Sequence, residues 1–305
     1  QYQHPDNNIN RVFGHFHTAN RTLLATSTYE KESGPLTLTG FLQGGWIEER
    51  VVDTSNRRYN WAGDWIEREP SDPRGELFER QSLFRLRDAV WRSNLGAQYN
   101  FSKQHAVSLH LTQHFLRRTG EDEVDAYNRS FHSPNTLQKS ILGLAYTFQS
   151  KDGRSEATLF AKQYGFRGRL VTQDYLNEDV VNEPQFRFTG YGGAFTWQPL
   201  PRLQLKTSLE QTFRLPESFE ILGDGVYIQP NPELRPERSL NTNLGIRYRV
   251  EHQPWQVRTS ANLFYRFSRD FIRYNPIGPF GAFENLSHVR SLGVEGSIHL
   301  TYREL

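Results

Sequence analysis

Few of the residues that could take part in chemistry have the spacing that catalysis or metal binding needs. The 305-residue chain has no Cys, which excludes a thiol nucleophile, a disulfide and a zinc site with Cys ligands. His110 and His114 fall on one face of a predicted strand, but four strand residues span about 13 Å, too far to share one metal ion, and we expect both to be solvated. The acidic run 121–123 lacks the Gly and the distal Glu of a calcium loop. The sequence therefore predicts no catalytic site, no metal site and no cofactor, and the chain is not expected to be an enzyme.

Aromatic and guanidinium side chains could instead bind a ligand, and they are concentrated in two polar segments, residues 51–84 and 215–238. Aromatic rings pack on flat organic groups, and Arg pairs with negative charge. The candidate ligand-binding residues are Tyr59, Trp61, Trp65, Arg214, Tyr227 and Arg235. The aromatic cluster at 59–65 has a simpler alternative, in which the rings pack on one another and fold their own loop.

The segments that flank these loops have the alternating pattern of β-strands. Leu205 and Phe213 share one predicted face, whereas Lys206 and Glu210 share the other. The same alternation predicts strands at about 21–30, 35–50, 85–101, 104–118, 137–149, 155–170, 186–198, 202–214, 239–250, 254–267 and 291–303. The chain is therefore predicted to be all-β.

The connections between these strands alternate in length. The tight links lie at 32–35, 102–104, 150–153, 199–201 and 251–254, and the long polar links lie at 51–84, 119–136, 171–185, 215–238 and 268–289. Short periplasmic turns, long extracellular loops and strands with one apolar and one polar face are typical of an antiparallel up-and-down transmembrane β-barrel. The alternative is a soluble β-sandwich, but compact soluble domains seldom carry several structureless loops longer than about 15 residues.

Composition excludes several other classes. Hydrophobic residues make up 36% of the chain, and no stretch approaches the ~18 apolar residues of a membrane helix. Aromatic residues reach 13%, which argues against disorder, and many lie near predicted strand ends, where barrels carry aromatic girdles. The net charge of +2 is far from the basic excess of a nucleic-acid-binding protein.

Two sequence blocks carry a resemblance to a known family. The first reads Phe-Arg-Leu-Pro-Glu from Phe213 and continues through Asn-Pro-Glu-Leu-Arg-Pro-Glu-Arg-Ser to Ser239, and the second runs from Phe283 to Glu295. They resemble conserved blocks of TonB-dependent outer-membrane receptors. The residues that match the family pattern are Phe213, Arg214, Pro216, Asn231, Pro232, Leu234, Pro236, Glu237, Asn285, Gly293, Val294 and Glu295. The prolines also indicate a stiffened loop, because they remove backbone donors. Glu237 with Arg238 would form a salt network at the barrel rim or, as the alternative, would contact the ligand directly.

The resemblance implies a Gram-negative outer-membrane receptor that takes up a scarce nutrient, with a plugged barrel of 22 strands. Residues 1–305 would supply about 11–12 of these strands, and the plug domain and terminal strands would lie outside this chain. The implied partners are the TonB-type energy-coupling complex, acting through the plug, outer-membrane lipid and an iron chelate, most simply a ferric siderophore. Haem, cobalamin and oligosaccharides stay open as ligands, although no His lies between Phe213 and Leu234 to favour haem. A plug-free porin or adhesion barrel is the alternative function.

The alternation also assigns residues to the two sides of the barrel wall. The residues expected to face lipid as one band are Leu244, Ile246, Tyr248, Val257, Leu263, Leu292, Val294 and Leu300. The charged residues expected to face inward are Lys206, Arg214, Arg247, Arg249, Arg258, Arg266 and Arg303 against Glu210 and Glu295. This positive excess would attract an anionic chelate, or would pair with carboxylates of a plug.

Overall fold

The computed structural model describes most of the chain. The described residues are 2–3, 10–11, 16–54, 57–59, 64–67, 69, 71, 81–124, 133–173, 178–224, 228–252, 254–277 and 280–302. Within them the chain is almost wholly strand, with a single short helix, α1 at Ser218–Leu222. None of the described residues forms a helix that is long and apolar enough to cross a membrane.

Strands of 12 to 23 residues make up the bulk of the structure. In chain order the strands are β1 Tyr2–Gln3, β2 Asn10–Arg11, β3 Phe16–Ser33, β4 Leu36–Asp53, β5 Arg57–Tyr59, β6 Trp65–Glu67, β7 Ser82–Asn100, β8 His105–Asp122, β9 Asn135–Gln149, β10 Ser155–Gln173, β11 Asp179–Asn182, β12 Gln185–Leu200, β13 Leu203–Arg214, β14 Ile228–Gln229, β15 Glu237–His252, β16 Trp255–Ile277 and β17 Phe280–Tyr302.

The long strands form one antiparallel meander. The order across the sheet is β3, β4, β7, β8, β9, β10, β12, β13, β15, β16 and β17, and the short strand β14 adds to β17 in parallel orientation. Each long strand thus pairs with its predecessor and successor in the chain, which confirms the predicted all-β, nearest-neighbour arrangement. Left-handed Gly34 and Gly153 close two of the tight turns, because glycine adopts positive φ at no steric cost.

The register places apolar residues opposite apolar residues on one face. Leu244 lies opposite Leu263, which lies opposite Val294 on the next strand. Arg247 and Ser260, three residues away along their strands, are opposite each other on the other face. Val294 is 74% exposed, so the apolar face is the outer surface of the sheet. The predicted outward band is confirmed by this register.

The other face curves round a buried cluster. Val90 on β7 and Ile272 on β16 belong to the same cluster, although seven steps of the strand order separate the two strands. A flat sheet would hold strands seven steps apart at roughly 34 Å. The sheet therefore wraps round its polar face, and this concave side is the interior.

Phe213 departs from the predicted alternation. It was expected on the outward face with Leu205, but its ring stacks on Phe188 at 4.6 Å and contacts Tyr164 at 5.6 Å, both in the interior. The pairing of β12 with β13 reaches only Tyr191 and Gln211. Because the two strands separate beyond that point, the ring has room to turn inward and is buried.

The predicted long link at 268–289 is wrong. Strand β16 continues to Ile277 and β17 begins at Phe280, so most of this segment is a paired hairpin. Cross-strand contacts stabilise it, because Arg273 forms an ion pair with Glu284 at 2.8 Å and Tyr274 packs on Phe283. The segment is polar because it extends beyond the apolar band, and polarity alone does not distinguish a water-exposed hairpin from a loop.

Candidate functional site

The loop that follows β13 folds into the concave side of the sheet and begins with a capped turn of helix. Glu217 precedes α1 and forms a capping box with Glu220, whose carboxylate accepts a hydrogen bond from the Glu217 amide at 2.7 Å. Gly223 ends the helix at φ +69, and a Cβ there would come within 2.1 Å of the Ile228 carbonyl oxygen. Both ends of the helix are thus fixed by local chemistry.

Arg214 ties this loop to two strands. One guanidinium nitrogen donates to both carboxylate oxygens of Glu220 at 2.9 Å, and the other donates to Glu237 Oε1 at 2.9 Å. The same Glu237 oxygen accepts the backbone amide of Ile272 at 2.7 Å. Glu220 and Glu237 are both buried, so Arg214 supplies the positive charge that their burial requires. The predicted salt network at the rim thus includes Glu237, but Arg238 takes no part in it.

The two sequence blocks of the resemblance meet in space. The side-chain oxygen of Asn285 accepts the amide of Arg235 at 2.9 Å, and its nitrogen donates to the carbonyl groups of Arg235 and Asp270. Asn231 likewise donates to the Phe283 carbonyl at 2.8 Å. The two asparagines therefore fasten the loop to the β16–β17 hairpin, and the blocks act as one structural unit.

The inner wall holds the loop from the opposite side. Lys139 on β9 donates to Glu217 at 2.8 Å, and Arg118 on β8 donates to the Gly223 carbonyl at 2.7 Å while it pairs with Asp88. Leu234 of the loop is fully buried. The loop is thus packed onto the interior rather than extended into water.

Glu49 lies on the same wall, above the apolar band. Burial raises the pKa of the Glu49 carboxyl above its usual range, and the negative charge of Asp224 acts in the same direction. Arg118 opposes this shift only in part. The contact between the loop and the wall therefore includes a carboxyl group that is unfavourable when ionised.

A cavity of about 590 Å³ lies beneath the loop. Its charged lining consists of Arg92, Lys139 and Arg214 against the single carboxylate of Glu217, and His114 also faces it. The Nε2 atom of His114 is buried and has no hydrogen-bond partner among the described residues. The cavity can therefore accept a negatively charged or hydrogen-bonding group.

The predicted ligand-binding residues are only partly brought together. Arg214 lines the cavity, whereas Arg235 is exposed and pairs with Asp270 at 2.8 Å. Tyr59 and Trp65 are opposite each other in the β5–β6 hairpin, although the structure describes only their backbone. Trp61 and Tyr227 lie outside the described residues, as does Arg303 of the predicted inward set.

Sequence reasoning missed three of the cavity residues. His114, Arg92 and Lys139 form one cross-strand row of the inner face, and the alternation could have placed them there. His114 was expected to be solvated, but it is half-buried and its Nε2 atom is shielded from solvent. The row is covered by a loop that comes from residues about a hundred positions away. The alternation within a strand carries no information about such a distant contact.

The Gly-Val-Glu triplet of the second block has a separate structural role. Gly293 lies under the ring of Phe264, and a Cβ at this position would come within 2.3 Å of that ring. Val294 faces outward, whereas Glu295 lines an inner cavity of about 400 Å³. The glycine is thus needed for close packing against an inward-facing aromatic ring.

An antiparallel meander with an apolar outer face and a polar, curved inner face is the wall of an outer-membrane β-barrel. A family model described as "TonB dependent receptor-like, beta-barrel" matches residues 142–304. The chain belongs to this family of TonB-dependent receptors, and its place is the outer membrane of a Gram-negative bacterium. The family consists of transport receptors rather than enzymes.

Solved structures share the fold at low sequence identity. A double mutant of the Serratia marcescens hemophore receptor HasR, in complex with its hemophore HasA and heme, has a TM-score of 0.61 at 15% identity, over 94% of this chain and 47% of that one. The copper transporter OprC has a TM-score of 0.65 at 10% identity, over 94% and 45%. The siderophore receptor PirA from Acinetobacter baumannii has a TM-score of 0.60 at 13% identity, over 92% and 42%. This chain spans about half the length of these structures, and no curated protein matches it.

Proposed function

We propose that this chain forms part of the barrel wall of a receptor for energy-coupled uptake of a scarce nutrient, and that the nutrient is an iron chelate such as a ferric siderophore. Membership of the TonB-dependent receptor family supports uptake across the outer membrane. The chemical class of the ligand is argued from the residues of the inner wall.

The observation that carries the proposal is the charge of the cavity beneath the loop. Three cations line it, but Glu217 pairs with Lys139 at 2.8 Å. Glu220 and Glu237 both pair with Arg214 at 2.9 Å, so within the described part of the chain the positive charge without a carboxylate partner is that of Arg92. Arg92 is exposed on the inner face and has no ion pair among the described residues. Inside a narrow, low-dielectric passage such an excess concentrates negative charge. A ferric chelate that carries catecholate or carboxylate oxygens keeps a net negative charge and fits this field, whereas a neutral sugar gains nothing from it.

The outer mouth would make the first contact. The aromatic residues Tyr59, Trp61, Trp65 and Tyr227 belong to the long connections at the extracellular end, where their rings can pack on the flat faces of a chelate. Arg235 adds a positive charge at the same end, although it forms an ion pair with Asp270. Arg214 would act differently, because its guanidinium holds Glu220 and Glu237 and so positions the loop above the cavity.

Energy coupling would require the plug domain that the family resemblance implies, with the TonB complex as its partner. Iron-chelate uptake by cells carrying the full-length receptor should then stop when the TonB complex is absent. Uptake that continues without it would favour a passive pore.

Ligand class can be tested by isothermal titration of the full-length receptor against ferric siderophores, haem, cobalamin and oligosaccharides. We expect an iron chelate to bind, and we expect Arg92→Gln and Trp65→Ala to weaken binding by about 1 to 3 kcal/mol each, as for side chains that a bound ligand covers. Arg154→Gln, at an exposed periplasmic turn, is the matched control and should leave affinity unchanged. Tight binding of a sugar or of cobalamin, with no response to iron chelates, would refute the ligand class and leave the uptake role standing.

A further inference from the structure

The outer surface carries a compact basic patch at the extracellular end of three adjacent strands. Arg238, Arg269 and His288 lie side by side in one cross-strand row of β15, β16 and β17. The next row on the same face contains Leu240, Phe267 and Arg290. Directly opposed residues in such a sheet are about 5 Å apart. We call Arg238, Arg269, Arg290 and His288 the outer basic patch.

The guanidinium groups of the outer basic patch have no carboxylate partner among the described residues. Arg269 and Arg290 both lie 5.5 Å from the centre of the Phe267 ring. Arg238 donates to the neutral amide of Gln211 at 3.0 Å. All three arginines are exposed. One aromatic ring thus holds two like charges close together, an arrangement that an anion would stabilise.

Two outward-facing arginines elsewhere on this rim have carboxylate partners. Arg87 pairs with Glu48 at 2.8 Å, and Arg273 pairs with Glu284 at 2.8 Å. Arg273 is on the same strand as Arg269 and lies four residues further from the membrane. Arginines of this rim can therefore have a carboxylate partner, and the three arginines of the outer basic patch have none among the described residues.

The height of the patch matches the surface of the lipid bilayer. The outward apolar rows run from Val257 with Leu300 to Tyr265 with Leu292, and the row with Phe267 follows. Ten strand residues separate Val257 from Phe267, which corresponds to roughly 25 Å across a membrane for a tilted strand. The apolar band of such barrels has this height, so the patch lies where the headgroups of the outer leaflet begin.

We propose that the outer basic patch binds the phosphate groups of an anionic lipid in the outer leaflet. The fork of each guanidinium suits bidentate contact with phosphate oxygens. The acyl chains of the same lipid would lie against the apolar band directly below, at Leu240, Leu244 and Leu263. Continuity between the charged rows and the apolar rows favours a lipid over a free anion. The inference does not depend on which nutrient the receptor carries.

Lipid retention by the full-length receptor tests this proposal. The receptor is reconstituted in phosphatidylcholine vesicles that contain diphosphoryl lipid A, extracted in mild detergent, and analysed by native mass spectrometry for bound lipid. We expect wild type to retain lipid A. Affinity should fall about fivefold for Arg269→Gln and about 25-fold for the double variant Arg269→Gln, Arg290→Gln. Arg273→Gln is the matched control, because this arginine has its own carboxylate partner, and it should retain lipid as wild type does.

Two further arms separate the phosphate group of a lipid from its alternatives. Dephosphorylated lipid A should not be retained by wild type, and soluble inorganic phosphate should not displace bound lipid A. Equal retention of the two lipids would refute recognition of phosphate, and displacement by free phosphate would refute recognition of a lipid. Equal retention of lipid A by wild type and the double variant would refute the assignment to these residues. The wild-type arms decide the question even if the double variant does not fold.

Discussion

The carboxyl group of Glu49 shows how a single residue reduces the stability of the contact between the loop and the wall. Its pKa is raised by burial and by Asp224, so the folded state binds this proton more tightly than the unfolded state does. At a pH below 4.5, the ordinary pKa of a Glu carboxyl, Glu49 is protonated in both the folded and the unfolded state and does not reduce stability. As the pH rises through the raised pKa of the folded state, stability is lost.

Glu49→Gln should therefore stabilise the protein at pH 7 and should have no effect at about pH 3.5. Because the site is only half-buried, the gain at pH 7 should be below about 1 kcal/mol. The measurement is the thermal unfolding midpoint of the receptor in detergent micelles at the two pH values. A larger gain at the acidic pH would contradict the direction of the pKa shift.

The charged residues of the inner face show what sequence could establish at this scale and what it could not. Alternation is enough to place Lys206 and Glu210 on one side of β13, since strand side chains alternate with period 2. It cannot show that Lys162, on another strand, is the partner of Glu210 at 2.7 Å. Nor can it show that Arg214, first taken as a ligand contact, has two carboxylate partners, because these partners are set by the fold of the loop.

Among the elements, the loop from Leu215 to Pro236 is the one that the sequence described least well. Its prolines correctly predicted a connection in place of a long strand between Arg214 and Glu237. Its inward packing depends on Asn231, Asn285 and Lys139, which are far from one another in the chain. The prediction of a loop in place of the β16–β17 hairpin was wrong for a related reason. This hairpin is held by polar and aromatic cross-strand pairs, and it lacks the apolar alternation that identifies strands elsewhere.

Arg214 is expected to hold this loop as a unit. Arg214→Ala would leave Glu220 and Glu237 buried without their cation, and unpartnered buried charges are costly. We expect a loss of about 2 to 3 kcal/mol, seen as faster hydrogen exchange of the loop amides from Glu217 to Leu234. Arg247→Gln, an exposed inner-face arginine that has no described ion pair, should leave this exchange unchanged. Unaltered hydrogen exchange in the Arg214 variant would show that the prolines and asparagines are enough to hold the loop in place.

At the scale of the whole molecule, the register of the meander decides which side each residue faces. A shift of one residue would exchange the lipid-facing and inward-facing sets on every strand. The sequence predicted this register well, because one face is apolar over many consecutive rows. It could not predict the curvature, which becomes visible only through the buried cluster shared by β7 and β16.

Spin labels can test the two faces, and the absence of native Cys makes single-site labelling straightforward. A label at Ile246→Cys should be accessible to oxygen dissolved in lipid, and a label at Arg247→Cys should be accessible to a water-soluble nickel complex instead. Electron paramagnetic resonance of the reconstituted full-length receptor measures both accessibilities. Preference for oxygen at position 247 would invert the assignment of every strand.

The extended β16–β17 hairpin determines what proteases and antibodies meet first on the extracellular side of the protein. Ten residues of β16 continue beyond Phe267 to Ile277, and they are paired with β17 for almost this whole length. At about 3.3 Å per residue this paired ribbon reaches some 25 Å beyond the outer edge of the apolar band when tilted, about as far as the band is thick. Proteases cut preferentially at flexible, unpaired segments, so the paired part of the ribbon should survive digestion that removes ordinary surface loops. An antibody raised against this ribbon would meet a rigid epitope held well clear of the membrane.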